Sequence, residues 1–111
     1  MVVIVFRSRL RPGVEKETEK VGARMYELAT AMPGFISYRE YASADGESVA
    51  IVEFESQETL AAWRNHPEHL QAQAAGRHRY FSEYRITVCK TVRESSFPPG
   101  STPGARTSDQ K

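Results

Sequence analysis

The chain has 111 residues, 40% hydrophobic and 26% charged, with a formal net charge of +1 and one cysteine. A chain of this size makes one domain, and 15 Lys+Arg against 14 Asp+Glu give no global field for a polyanion or a membrane surface, so neither nucleic acid nor membrane is expected as a partner. The lone Cys89 excludes an internal disulfide framework and a cysteine-only metal site, and the longest apolar run, Val2 to Phe6, is too short to span a bilayer and leads into Arg7 rather than a cleavage site, which sets the expectation of a cytoplasmic protein.

Met1 to Leu10 reads as a strand, with Val2, Ile4, Phe6 and Leu10 on one face, while on the other Val3 and Val5 give way to Arg7 and Arg9. Pro12-Gly13 breaks the run. Val14, Val21, Met25, Leu28 and Met32 then recur at helical steps as one apolar stripe, with Glu15 to Lys20 as the solvated side, and Pro33-Gly34 ends the helix. Phe35 to Ala42 and Ser48 to Glu55 are β-rich runs either side of Asp45-Gly46, whose tolerance of positive φ suits a tight hairpin.

Ser56 is a natural N-cap for a second helix whose stripe runs Leu60, Trp63, Pro67, Leu70 and Ala74. Pro67 removes a hydrogen bond and clashes with the preceding turn, so one half should end near Asn65 and another begin at Pro67, with Gly76 closing the segment. Arg79 to Val92 is the last strand, with Tyr80, Tyr84, Ile86 and Val88 on one face and Phe81, Arg85, Thr87 and Cys89 on the other. From Ser95 to Lys111 three prolines, two glycines and a single large apolar residue, Phe97, predict a disordered tail, leaving residues 1–94 as the folded domain and 95–111 outside it.

Strand, helix, strand, strand, helix, strand is the split βαβ order of an α+β, ferredoxin-like fold with a four-stranded antiparallel sheet, and the right-handed crossover rule puts both helices on one sheet face. The first and third strands, placed centrally by that topology, are apolar on both sides: Val3 and Val5 beside Ile4, Val49 and Ile51 beside Val52. Helices cover one face only. The other is most economically covered by the same face of a second subunit, so a homodimer is expected.

All three histidines lie between Trp63 and Phe81. On continuous helical geometry His66 and Gln73 share a flank with Trp63, which would set an indole, an imidazole and an amide beside a cavity between helix and sheet; the simpler alternative is that Trp63 is core and His66 caps the second half-helix. His66 and His69, three apart, are a poor zinc pair, and no metal is expected. No nucleophile elbow, phosphate loop or dinucleotide fingerprint occurs, Cys89 reads as an inert packed thiol, and no cofactor is implied by motif. Arg77 and Arg79, at the entrance to the last strand, are placed to hold an anion or lower the pKa of an aromatic hydroxyl, or else to pair with Glu68 or Glu83 on the surface.

Met32-Pro33-Gly34-Phe35, Asp45-Gly46-Glu47, Phe54-Glu55-Ser56, Ala62-Trp63-Arg64, His66-Pro67-Glu68-His69 and Tyr80-Phe81-Ser82-Glu83-Tyr84 together resemble the antibiotic biosynthesis monooxygenase domain family, small dimeric α+β barrel proteins. The resemblance covers Val2 to about Val92. It implies oxidation of a phenolic or quinol-like aromatic by O2 without flavin, haem or metal, in which an apolar pocket binds the substrate, a base deprotonates it and the electron-rich anion reacts with oxygen. Carried onto this chain, Trp63, His66 and Arg77 become the catalytic candidates, with His66 as base and Arg77 as anion stabiliser, and Gln73, Tyr80, Tyr84 and His69 become substrate-binding. The haem-degrading branch of the fold fits less well, because Arg7 and Gln73 stand where those proteins place an asparagine and a histidine. A non-catalytic dimer that binds a small aromatic metabolite is the reading from another class, and oxygen uptake separates it from an enzyme.

Overall fold

A computed structural model describes residues 1–100, in the order β1 (Val2–Leu10), α1 (Glu15–Thr30), β2 (Phe35–Ala42), β3 (Ser48–Phe54), α2 (Gln57–Arg64), α3 (Pro67–Ala75), a π-helical turn (Gly76–Tyr80) and β4 (Phe81–Lys90). The strands form one antiparallel sheet in the order β2-β3-β1-β4, the ferredoxin-like α+β arrangement, with β1 and β3 central as expected. Residues 101–111 of the expected tail lie outside the described part. Residues 95–100 carry no helix or strand, and Phe97 is exposed.

Register builds the core. Val2 pairs with Phe54, Ile4 with Val52 and Phe6 with Ala50, so period-two alternation delivers all six side chains to one face. Ala29 of α1 and Leu60 and Trp63 of α2 close over it, while Met25, Leu28, Phe35 and Tyr38 pack around the edge. Phe54 is completely buried, edge-on to Phe35 at 5.8 Å between ring centres. Burying a side chain of this kind contributes roughly 1.5–3 kcal/mol. Among the described residues no helix is long and apolar enough to cross a membrane.

The hairpin forms at Asp45-Gly46, where Gly46 has φ +95° and the Asp45 carboxylate accepts both the Glu47 N–H and the Arg9 guanidinium. Ser56 caps α2 reciprocally with Thr59, and Pro67 takes the first position of α3 after α2 ends at Arg64. Two glycines act differently from expectation. Helix α1 already ends at Thr30 with Ala31 as cap, and Gly34, at φ +82°, serves the turn into β2, where a Cβ would lie 2.5 Å from Thr59. Gly76 does not close the helix: its backbone stays helical and the chain winds on through the π turn, and its bare Cα leaves room for the Phe81 ring, which would lie 2.8 Å from a Cβ.

That continuation changes the last strand. Tyr80 belongs to the turn and not to β4, and a register shift between Arg9 and Leu10 brings Phe81 onto the same face as Tyr84, 5.8 Å away, instead of the opposite one. The sheet face away from the helices carries Val3, Val5, Val49 and Ile51, all half-buried, around a buried Glu53 whose carboxyl accepts a hydrogen bond from the buried Ser37 hydroxyl. Cys89, paired opposite Val3 on this face, is exposed rather than packed, because β4 is an edge strand with no element over it.

Candidate active site

Three groups of side chains occupy the helical side of the sheet. The first is built by the break at Pro67. Ending α2 and restarting the chain as α3 folds His69 back onto Trp63, ring over ring, at 4.1 Å and 11° between planes; His66 lies 5.9 Å from the indole at 51°. Trp63 is buried and belongs to the core, and His66 caps α3, its Nδ1 accepting the Glu68 N–H at 3.1 Å. The simpler alternative for both residues therefore holds, alongside a cluster that the sequence placed around His66 and the structure centres on His69.

His69 Nδ1 lies 3.1 Å from the Trp63 carbonyl oxygen. Gln73 donates its amide to the Arg64 carbonyl at 2.9 Å, tying α3 to the end of α2, and sits 3.5 Å from His69 Nδ1. Burial pushes the His69 pKa below its ordinary 6.5, the nearby His66 pushes the same way, and the Trp63 carbonyl partly opposes both.

The second group joins α1 to the π turn. Tyr80 is buried and its hydroxyl donates to Glu17 at 3.0 Å, while Arg79 reaches the same carboxylate at 2.8 Å. The Arg79 guanidinium, then the Tyr80 hydroxyl, hold Glu17 below the usual carboxylate range. An arginine beside Tyr80 was expected to lower a hydroxyl pKa, yet that of Tyr80 is raised, by burial first and by its bond to Glu17 second, with Arg79 opposing. Nor does Arg79 pair with Glu68 or Glu83, which are held by Arg24 and Arg9. Arg77 is exposed on the same turn and makes no hydrogen bond or ion pair to any described residue, so the fold does not bring it to Trp63.

The third group is aromatic. Phe6 meets Phe81 edge-on at 5.4 Å and Tyr84 at 5.8 Å. Beyond them Ile86 and Val88 continue the strip along β4, with Tyr84, Ile86 and Val88 still 40%, 53% and 48% exposed although they point to the helical side. The helices stop short of the fourth strand, leaving an uncovered apolar strip beside the core. Among the described residues a separate open groove of about 340 Å³ lies between α1 and α3, lined by Lys20, Val21, Met25, Glu68 and Ala72, and contains none of the anticipated site residues.

Glu17 and Phe6 were not anticipated as site residues. Glu17 sits in a charged run whose simplest reading is a solvated face, and nothing local announces a partner 62 residues later. No group of three or more His, Cys, Asp or Glu side chains among the described residues is arranged to hold a metal.

The model of the antibiotic biosynthesis monooxygenase family matches residues 1–75. This chain belongs to that family. A curated relative, YqjZ of Bacillus subtilis, is 32% identical over 74 residues, 67% of this chain and 65% of its own length. Among solved structures, Rv0793 from Mycobacterium tuberculosis is 27% identical with a TM-score of 0.76, covering 86% of this chain and 98% of that one. SnoaB, a cofactor-independent oxygenase from Streptomyces nogalater, is 23% identical with a TM-score of 0.71, covering 87% and 96%, a likeness that speaks for the fold. The family match ends at Ala75, before the π turn and β4 that carry Arg77, Tyr80 and Tyr84.

Proposed function

We propose that this chain is a cofactor-independent monooxygenase that oxidises a phenolic or quinol-like aromatic with O2 and works as a homodimer. The observation that carries the reading is the imidazole stacked on a buried indole, in a family of monooxygenases, on a sheet that leaves an apolar aromatic strip uncovered. A planar substrate lies on Phe6, Tyr84 and Ile86; an imidazole of the Trp63 cluster, His66 or His69, takes its hydroxyl proton; and Gln73 and Tyr80 fix the walls. Arg77, exposed at the turn, meets substrate anion only where the ligand reaches the surface.

The chemistry balances without an external reductant. Loss of the proton leaves the electron pair on oxygen and, in a phenolic ring whose para carbon still bears hydrogen, makes that carbon nucleophilic towards O2. One oxygen atom forms the new C–O bond, the other leaves in water with the two hydrogens removed, and all four electrons come from the substrate as it becomes a quinone. Proton removal is the step the protein accelerates.

The homodimer is supported by the second face of the sheet, where Val3, Val5, Val49 and Ile51 form an apolar surface that no element among the described residues covers. Light scattering should give twice the chain mass, and Val5→Glu should halve it.

An oxygen-electrode screen of quinols and polycyclic phenols, with and without added flavin or hemin, tests the activity. With a phenol whose para carbon bears hydrogen, uptake with one quinone formed per O2 and no hydrogen peroxide, unchanged by either additive, is the expected result. Saturable thermal stabilisation by the same compounds without uptake would make the protein a binder, and a hemin Soret shift with haem turnover would assign it to the other branch.

A further inference from the structure

The two histidines beside Trp63 present opposite ring nitrogens as donors, and hydrogen-bond partners decide which is which. A backbone N–H can only donate, so His66 Nδ1, 3.1 Å from the Glu68 nitrogen, is an acceptor and carries no hydrogen; the neutral His66 ring is protonated at Nε2. A backbone carbonyl can only accept, so His69 Nδ1, 3.1 Å from the Trp63 oxygen, is the donor and holds the hydrogen. Its Nε2 is then a bare lone pair. The Gln73 amide nitrogen also lies 3.5 Å from His69 Nδ1, but it is a donor already committed to the Arg64 carbonyl at 2.9 Å, so two donors face each other there and the Trp63 bond is the one that sets the tautomer.

We infer that His69, through Nε2, is the proton acceptor of this site, and that His66 is a structural cap that presents an N–H. The inference rests on the phenol-oxidising reading above and replaces the base which the family resemblance suggested. Nε2 of His69 makes no hydrogen bond to any described residue. The ring's orientation is fixed twice, by stacking on Trp63 and by the bond to its carbonyl, so the acceptor is held in place without blocking it. When the substrate O–H bond breaks, its electron pair stays on oxygen and the proton forms Nε2–H. The imidazolium keeps its Nδ1–H bond to the Trp63 carbonyl, which strengthens as the ring becomes cationic. The proton leaves later with the water formed in the reaction. Burial, which holds the ring neutral, keeps the lone pair available.

Two measurements test this, one independent of turnover. In the full-length protein labelled with 15N-histidine, long-range 15N–1H correlation should give His69 as the Nδ1–H tautomer and His66 as the Nε2–H tautomer, and 1-naphthol should move the His69 Nε2 resonance; the opposite tautomers, or movement at His66 alone, would overturn the inference. If a quinol substrate is found, His69→Gln should lower kcat by about 10²-fold or more, and His69→Ala should regain at least tenfold of its loss in added imidazole. Loss at His66→Asn with retention at His69→Gln would place the acceptor at His66. Should the parent take up no oxygen with any phenol, the enzymatic reading fails while the tautomers and the naphthol shift still decide which histidine accepts.

Discussion

Two stretches of the same sheet face, a few ångströms apart, carry the same kind of side chain and meet opposite fates. Over β3 and β1, Val2, Ile4, Val52 and Phe54 lie under Ala29, Leu60 and Trp63 and are almost free of solvent. Over β4, Tyr84, Ile86 and Val88 continue the same alternation and stay about half exposed. Apolar periodicity thus marks which surface is to be kept from water, not what will cover it. The helices cover the first stretch and leave the second as open apolar area, the contact surface that the proposed aromatic substrate would use.

Substitutions can break that contrast. Phe54→Ala should cost about 3–5 kcal/mol, read as a shift of the urea midpoint, because it empties a fully enclosed volume. Ile86→Ala on the open strip should cost about 1 kcal/mol or less, yet weaken aromatic binding about fivefold, the value of the contact area it loses. Equal stability losses at the two positions would mean that the strip is covered in solution. Gly34→Ala should cost about 2 kcal/mol, read by thermal unfolding, since a side chain at φ +82° is strained and would also strike Thr59 in the cap of α2.

Smaller effects appear in the pH dependence of folding. His69 has a lowered folded pKa, so as pH falls below about 6.5 the unfolded chain takes up the proton first and the fold loses stability until the folded value is reached. Urea titrations of His69→Gln should flatten that slope. Glu17, also lowered, contributes stability that is present above its ordinary range and lost as pH falls through its folded value, so Glu17→Gln should reduce acid sensitivity at still lower pH. A variant that left both slopes unchanged would sever the link between these two groups and the fold.

The sheet was readable because its signals are local. The alternation in β1, the Asp45-Gly46 turn, the Ser56 cap and the Pro67 break each act within a few residues, and each lies where the pattern predicts. The site was half readable. Trp63, His66, His69 and Gln73 do come together, but extending one helical phase across Pro67 singles out His66 and Gln73, whereas the restart rotates α3 and stacks His69 on the indole. The partnership of Tyr80 with Glu17 is long-range and leaves no periodic trace. Phe81 changed faces because the strand gained an extra residue opposite Arg9 and Leu10, a shift that the composition of β4 does not announce.

Glu53 and Ser37 set one buried polar pair into the open face of the sheet. A purely apolar surface would accept any other apolar surface, whereas this one encloses a carboxyl and a hydroxyl already bonded to each other amid valines and isoleucine. Whatever seats itself there must leave that bond intact or replace it with donors of its own, at the cost of an orphaned buried carboxyl.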